Sequence, residues 1–566
     1  MDTRSTGSTA RLSKAARLAV LALLAVALGV ALTASPAWAA GRWVAGDIHT
    51  HTYLTDGKVT QGEVLRKAFA EFGLDFMANS EHGGQSKYDP NGVAFVTPVW
   101  RWITLSMYSM PLVNYYRQVY PERCIIQGVE WNAPTHEHAS VGIVGTENEP
   151  FGISAFEYRF DERDLDTSRA GEATSEIWDK TTDPWTLIQP SVPFDKRNAT
   201  AEDAVDAVEW LQETYGRQAY MIVNHPSRKN AWHVGDFRAM NDAAPDVAFG
   251  MEGLPGHQAE LARGGYDAYI RADGSLGSKT DFDPAMTEKA RTYGGADLMT
   301  AQVGGVWDAL LGEGRRFFIF NNSDFHQYSK SIKDASGTTV GVEYYDFWPG
   351  QYAKTWVYAK DTSAQAIVDG MRAGKAFCVN GDLINGLRFT ASDRTRTAAM
   401  GGTLRTTAGK TVTVTVAVRS PKRNANGDRV KLHHVDVIQG AVTGRIAPTL
   451  PDGVTPNPAY TESATNPSAK VIRTFTKANW TVLNGWMVMS FKIKANADTY
   501  LRLRGTNLAP GTPNQTDAKG NPLRDELDYV DWEDPRDPSI TIHGNNQETA
   551  WADLWFYSNP LFIDVK

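Results

Sequence analysis

Val44-Ala45-Gly46-Asp47-Ile48-His49-Thr50-His51 reads as a β-strand that runs out into ligand-capable side chains. In a strand, residues i and i+2 face the same way, so His49 and His51 can bind one ion together. Asp56 follows in the loop. Beyond it, Thr60-Gln61-Gly62-Glu63 has the form of a capping box, and Val64, Leu65, Ala68, Phe69 and Phe72 give the next segment one apolar helical face. Gly73 ends that helix, and Leu74 to Ala78 is the next strand. Strand, helix, strand is the unit of an α/β fold.

The same alternation continues to about residue 384. A helix after Thr200, with Asp203 as its capping acid, runs to Gly216 and leads into a strand over Tyr220 to Val223. Another, around Val306 to Leu311, precedes a strand over Phe317 to Phe320. The last, with Thr362 and Gln365 as a capping box, precedes Ala376 to Val379. Insertions over about 84–123, 146–198 and 229–298 interrupt the pattern. The first carries Trp100, Trp102, Tyr108, Tyr115, Tyr116 and Tyr120, which suit either an apolar substrate pocket or core packing. After about residue 385 helix signals stop. Thr411 to Val418, Val430 to Ile438, Met487 to Ile493 and Tyr500 to Leu503 read as strands of an antiparallel β-sandwich.

Histidine placement carries the chemistry. Most of the 12 His fall at strand ends inside the β/α region. His82 closes the second strand, in Asn79-Ser80-Glu81-His82. Glu130 ends a strand over Cys124 to Val129, and His138 opens one over Ala139 to Val144. His225, in Asn224-His225-Pro226, follows the Tyr220 strand, and Asp324 and His326, in Ser323-Asp324-Phe325-His326, follow the Phe317 strand. Catalytic groups of a β/α barrel converge at the C-terminal ends of its strands. Singly, each has an ordinary explanation as a hydrogen-bonded rim residue or a turn former; jointly they describe a metal centre. His136 is an alternative to His138, but His138 directly abuts the strand. His257, His233, His433, His434 and His543 have no such framework and stay unassigned.

Composition narrows the classes. The chain has 566 residues, 42% hydrophobic and 22% charged, enough for a substantial core. A formal charge of −8 argues against electrostatic nucleic-acid binding. Two cysteines, Cys124 and Cys378, supply neither a disulfide framework nor a thiolate metal site, so His and carboxylates must hold any ion. Arg4, Arg11, Lys14 and Arg17, an uncharged run from Leu18 to Leu32 and Ala37-Trp38-Ala39 describe a secretory signal peptide over 1–39, with a retained anchor as the alternative. No later segment is expected to span a membrane. The expected location is secreted, periplasmic or cell-surface.

In this order the residues resemble the polymerase and histidinol phosphatase (PHP) domain of metal-dependent phosphoesterases. Its motifs run D-x-H-x-H, a nearby Asp, a D-H pair, a Glu, a His, H-P and S-D-x-H. All nine ligand types appear in sequence: His49, His51, Asp56, His82, Glu130, His138, His225, Asp324 and His326. The match covers about residues 43–384. Met371-Arg372-Ala373-Gly374-Lys375 and the ending Tyr557-Ser558-Asn559-Pro560-Leu561-Phe562-Ile563 are similar to the branch containing CehA/McbA-type carbaryl hydrolases, which also place a β-rich segment after the barrel. The resemblance implies an α/β fold, a distorted (β/α)7 barrel over 42–384 with a β-rich domain over 385–566. It also implies two or three divalent ions. His49, His51, Glu130 and Asp324 would hold the first; Glu130 would bridge to a second held by His138 and His225; Asp56, His82 and His326 would hold the third. Glu81 departs from the family, which more often has Asp before the His, and is expected to support the ligands from behind.

Imidazole and carboxylate without thiolate suit zinc, manganese or iron. The leading expectation is a hydrolase that cleaves a small phosphate ester with metal-bound hydroxide. Arg228, in His225-Pro226-Ser227-Arg228, either clamps a phosphate oxygen or is a surface arginine, and Asp324 is placed to relay a proton to the leaving group. The rivals are a carboxylic ester or carbamate hydrolase and a non-catalytic secreted binding protein with structural metals. A phosphate ester calls for a basic pocket lining, an aryl carbamate for an apolar one.

Overall fold

A computed structural model describes residues 41–145, 149–167, 196–260, 262–266, 269–275, 277–278, 280–525, 532–534, 537–543 and 547–566. The expected signal segment, 1–39, and most of the 146–198 insertion lie outside the described residues. The elements that position the site are β1 (Arg42–Asp47), α1 (Gln61–Arg66), β2 (Phe76–Asn79), β3 (Cys124–Asn132), β4 (His138–Ile143), α2 (Ala201–Thr214), β5 (Ala219–Val223), α3 (Val234–Ala243), β6 (Ala248–Leu254), α4 (Val306–Gly312), β7 (Phe318–Asn321), β8 (Ala353–Ala359), α5 (Ala364–Arg372) and β9 (Ala376–Asn380).

In space the strands run β7-β6-β5-β4-β3-β2-β1-β8-β9 in one sheet. β1, β2 and β3 pair in parallel, as do β5, β6 and β7. β4 is antiparallel to both of its neighbours. The outer strand bends back on the first: Phe325 bridges Thr50, and His51 N donates to Phe325 O at 2.8 Å. Asn321 N donates to Thr355 Oγ1 on β8 and its side-chain amide to Val379 O on β9. β2, β3 and β5 are buried at every position, as expected of strands covered on both faces.

Local signals explain the helices. Thr200 and Asp203 form a reciprocal capping box on α2, and Ala204, Ala207, Val208 and Leu211 give its buried stripe. On α1 only half of the expected box forms: Thr60 caps Glu63 N, but Arg66 takes the Glu63 carboxylate. α5 is capped by Ser363 rather than Thr362, because Asp361 accepts from Ser363 N and turns the chain one residue later. The expected 229–298 insertion contains α3 and β6, so it carries part of the sheet itself.

Beyond residue 385 most strands divide between two sheets, while Trp532–Asp534 and Asp537–His543 join a third with Ser329–Lys333 and Thr339–Tyr344. Trp555–Ser558, Thr499–Thr506, His434–Ala441 and Lys470–Thr476 extend the large sheet past β9. Gly386–Ser392, Thr411–Arg419 and Trp486–Lys494 form the middle of a separate antiparallel sheet. Val412, Val414, Val416 and Val418 share one apolar core with Val435, Val437, Leu501 and Leu503. The strand expected from Val430 starts at His434. Helices do occur here: Pro458–Glu462, with Pro at its start and Asn457 as its cap, and Gln547–Ala552. Asp308 on α4 forms a fully buried bidentate pair with Arg502 at 2.8 and 2.7 Å, which ties the two parts of the chain together. Among the described residues no helix is long and apolar enough to cross a membrane.

Candidate metal centre

The strand ends bring the nine expected side chains together: seven of them line one cavity, and His49 and His51 are fully buried against these. His49 and His51 lie just beyond β1, His82 beyond β2, His225 beyond β5, and Asp324 and His326 beyond β7; Glu130 lies within β3 and His138 opens β4. Four residues of the cavity adopt left-handed backbone: His225 (φ 29°), Lys229 (φ 54°), His257 (φ 55°) and Asp324 (φ 47°). Such conformations are costly for residues with a Cβ and cluster where a site needs a side chain aimed against local preference.

Glu130 is the hub. Its Oε1 lies 2.9 Å from His49 Nε2, 3.0 Å from His138 Nδ1 and 3.4 Å from His225 Nε2. Its Oε2 lies 2.7 Å from His82 Nδ1 and 3.3 Å from His51 Nε2. Asp324 Oδ1 faces His49 and His51 at 3.0 and 3.2 Å. Asp56 reaches His82 and His326, both at 3.3 Å. Three sets with donor atoms within 4.8 Å of one another follow: His49, His51, Glu130 and Asp324; His51, Asp56, His82 and His326; and His82, Glu130 and His138. His138 and His225 form a further set with Glu137, and His257, His326 and Asp346 form a fifth.

A divalent cation fits these donors. Both ring nitrogens of His51 and of His225, His82 Nδ1, Glu130 Oε2 and Asp324 Oδ1 are buried without an aligned hydrogen bond, although each has a facing carboxylate or imidazole atom within 4 Å. Polar atoms are rarely left so in a folded interior unless they serve a ligand. The charges agree. Burial alone would push the His49 ring down, but Asp324, Glu130 and Glu252 hold its pKa well above the usual value. Burial would raise Glu130, yet His138, His49 and His82 hold it well below the usual carboxylate range. Asp324 is likewise held low against its burial by His257 and His49. The carboxylates thus demand positive charge, which divalent ions would supply in place of protons.

Supporting groups orient the donors. Glu252 on β6 sits 2.8 Å from His49 Nδ1 and accepts from His225 N at 2.9 Å. Asn224 Nδ2 donates to Glu130 Oε1 at 2.9 Å. Asp47 accepts from His49 N and Ser323 N, both at 3.0 Å, and burial pushes its carboxyl up to about 7. Glu81 points away from the donors and accepts from Thr52 N, Thr52 Oγ1 and Thr55 Oγ1, so it shapes the loop that delivers Asp56. His136 stacks on Trp232 instead, its ring 4.4 Å away. His233 caps α3 with Asp236, and His433 and His434 pair with each other in the C-terminal region. Glu252, Glu137, Asp346 and His257 join the centre without having been singled out in the sequence. A lone acid near the end of an apolar strand was the available signal for Glu252, as it was for Glu130.

Above the donors opens a cavity of about 400 Å³ whose rim includes Lys58, Arg163, Arg228 and Lys229. Lys229 is paired with Glu137 at 2.6 Å, whereas Arg228 makes no ion pair among the described residues and feels Glu137, Asp324, Glu260 and Glu130 at longer range. Apart from the His rings, Tyr345 is the aromatic residue in the lining. The insertion aromatics mostly pack elsewhere: Trp102 on Tyr158, Tyr108 on Phe95, Tyr115 on Tyr116 and Tyr120 on Phe69. Trp100 and Leu165 line an adjoining cavity of about 340 Å³ that shares Asp56, His82 and Arg163 with the first.

No family model matches the chain, and no curated protein does. Among solved structures, a two-domain protein from Bacteroides vulgatus, described as containing a predicted PHP-like metal-dependent phosphoesterase, is similar at 12% identity. That likeness covers 87% of this chain and 96% of that one, with a TM-score of 0.33. A likeness this distant assigns neither an activity nor a site residue.

Proposed function

We propose that this chain is a metal-dependent hydrolase of small phosphate esters, of the PHP kind, working with two or three divalent ions. The observation that carries the reading is the pairing of an electron-rich floor with a basic rim: His and carboxylate donors lie below, and Arg228, attracted by Glu137, Asp324, Glu260 and Glu130 but locked in no ion pair among the described residues, lies above. His49, His51, Glu130 and Asp324 would hold one ion; Glu130, His138 and His225 a second; Asp56, His82 and His326 a third. Zinc, manganese and iron all suit these donors. When bound, such ions acidify water and neutralise charge on an ester oxygen. The chain's own residues do the rest. Arg228 clamps a non-bridging phosphate oxygen with its planar fork, and Asp324, ionised at rest, takes the proton given up by the attacking water and returns it to the leaving oxygen. Glu252 and Asn224 keep His49 and Glu130 aimed.

The return of the β7 extension to β1 supports reading the seven strands β1 to β7 as a distorted (β/α)7 barrel, and the shared apolar core beyond residue 385 supports a β-sandwich there. The signal-like segment at 1–39 supports action outside the cytoplasm. A second reading, hydrolysis of an aryl carbamate or carboxylic ester as in the CehA/McbA branch, draws on Trp100 and Leu165 in the adjoining cavity. The test is a paired assay of purified protein on an aryl phosphate, an aryl phosphodiester and an aryl carbamate. Phosphate release that falls about 10- to 100-fold in kcat/KM with Arg228→Ala, the worth of one hydrogen bond to a charged group, supports the phosphoesterase reading. Cleavage of the carbamate alone, unaffected by Arg228→Ala, replaces it with the second.

A further inference from the structure

His257 stands between two buried carboxylates. Its Nε2 is 2.6 Å from Asp324 Oδ2 and its Nδ1 is 2.5 Å from Asp346 Oδ1. Asp346 is fixed in turn, because its Oδ2 accepts from the backbone N–H groups of His326 (2.6 Å) and Gln327 (3.0 Å). The opposite oxygen of Asp324, Oδ1, faces His49 and His51 and has no aligned hydrogen bond. One side of this carboxylate is therefore tied and the other is left open toward the ion position.

The loop that carries His257 is clamped as well. A Cβ on Gly256 would collide with the Ser323 carbonyl oxygen, so the loop lies directly on the backbone before Asp324. His257 itself is left-handed, a conformation that persists only where the surroundings over-determine it. Gln258 Nε2 donates to Pro255 O (2.6 Å) within the loop and to Gly295 O (3.2 Å) across from it. Arg263, fully buried, donates to Gln258 Oε1 (2.9 Å), to Tyr352 Oη (2.7 Å) and to Asp553 Oδ2 (2.8 Å). Asp553 belongs to the C-terminal region, and its Oδ1 accepts from Trp555 Nε1 at 2.6 Å. Trp555 begins the strand that pairs with β9.

We infer that His257 is a positioning residue for Asp324, and that the C-terminal region braces it there through Asp553, Arg263 and Gln258. The inference rests on the metal reading above and gives the region beyond residue 385 a part in the centre. A hydrogen-bond partner behind a metal carboxylate typically changes metal affinity by about 10- to 100-fold.

The experiment is zinc(II) binding to the full chain, measured by competition with a chromophoric chelator, with thermal unfolding followed alongside. His257→Ala weakens the tightest site by about 10- to 100-fold. His257→Gln, which keeps an N–H donor, recovers most of that affinity. Asp553→Asn also weakens binding, and it adds little on top of His257→Ala because both act through one contact. If wild type binds zinc and His257→Ala binds it equally tightly, or if the two substitutions are additive, the inference is overturned and the metal reading stands. Wild type is titrated with manganese(II) and iron(II) as well, and a chain that binds none of the three metals overturns both.

Discussion

Replacing Glu130 with Gln removes one negative charge from the point where five histidines meet. The carboxylate lies within 2.7–3.4 Å of nitrogens on His49, His51, His82, His138 and His225. It takes part in the sets His49–His51–Glu130–Asp324 and His82–Glu130–His138, but not in the set His51–Asp56–His82–His326. One substitution should therefore spoil two ion positions and leave a third with all its donors. A unit charge and a divalent ion about 4 Å apart interact by about 8 kcal/mol at an effective dielectric of 20. The ion-free protein also loses Glu130's attraction for the rings, which offsets about half of this. The net is about 4 kcal/mol, or a thousandfold in affinity. The assay is metal content per chain after equilibrium dialysis at micromolar zinc, with calorimetric titration of the stripped protein. The expected result is loss of the ions shared by Glu130 and retention of one. Unchanged stoichiometry and affinity in Glu130→Gln would refute the argument that this carboxylate joins the sites.

Three further predictions reach other parts of the molecule. Glu81→Ala should deplete only the ion held by Asp56, His82 and His326, because Glu81 acts through the Thr52–Thr55 loop, and should cost less activity than His82→Ala; equal losses in metal analysis and rate would mean that Glu81 touches an ion directly. Asp308→Asn leaves Arg502 charged and buried, and should lower unfolding free energy by about 3–5 kcal/mol in denaturant titrations; a change below about 1 kcal/mol would show the pair to be dispensable. Asp161 is pushed by burial from 3.8 up to about 7 beside Glu157 and Asp164. Its folded value lies above its unfolded one, so stability is fullest below about pH 4 and is lost as the pH rises toward 7. Asp161→Asn removes that loss, and the Tm difference between variant and wild type should move in the variant's favour from pH 5 to pH 7.5; a pH-independent difference counts against the burial argument.

Much of the centre was legible in the chain because strand geometry is local. His49 and His51 share a face through the two-residue period, and His225, Asp324 and His326 sit in turns directly after apolar runs. What sequence reading missed lies across long separations. Glu252 meets His49 over 203 residues and Asp346 meets His257 over 89, so neither leaves a local pattern. β6 was hidden for a related reason: the Gly-containing run Ala248–Leu254 fell inside what read as an insertion. The aromatics of the first insertion left pocket and packing open, and the rings divide: Trp100 lines the adjoining cavity, Tyr120 packs on Phe69 of the body, and Trp102, Tyr108 and Tyr115 meet other rings of the insertions. The cap of α5 moved by one residue because two adjacent hydroxyl residues, Thr362 and Ser363, compete for the role, and Asp361 decides it.

The most direct test of the central claim is phosphate release from an aryl phosphate by the purified chain as isolated, after chelator, and after return of zinc, manganese or iron. The account predicts two to three ions per chain, loss of hydrolysis on chelation and recovery with at least one of the three metals. Hydrolysis that survives complete removal of metal, or a protein that binds no divalent ion at all, would contradict it.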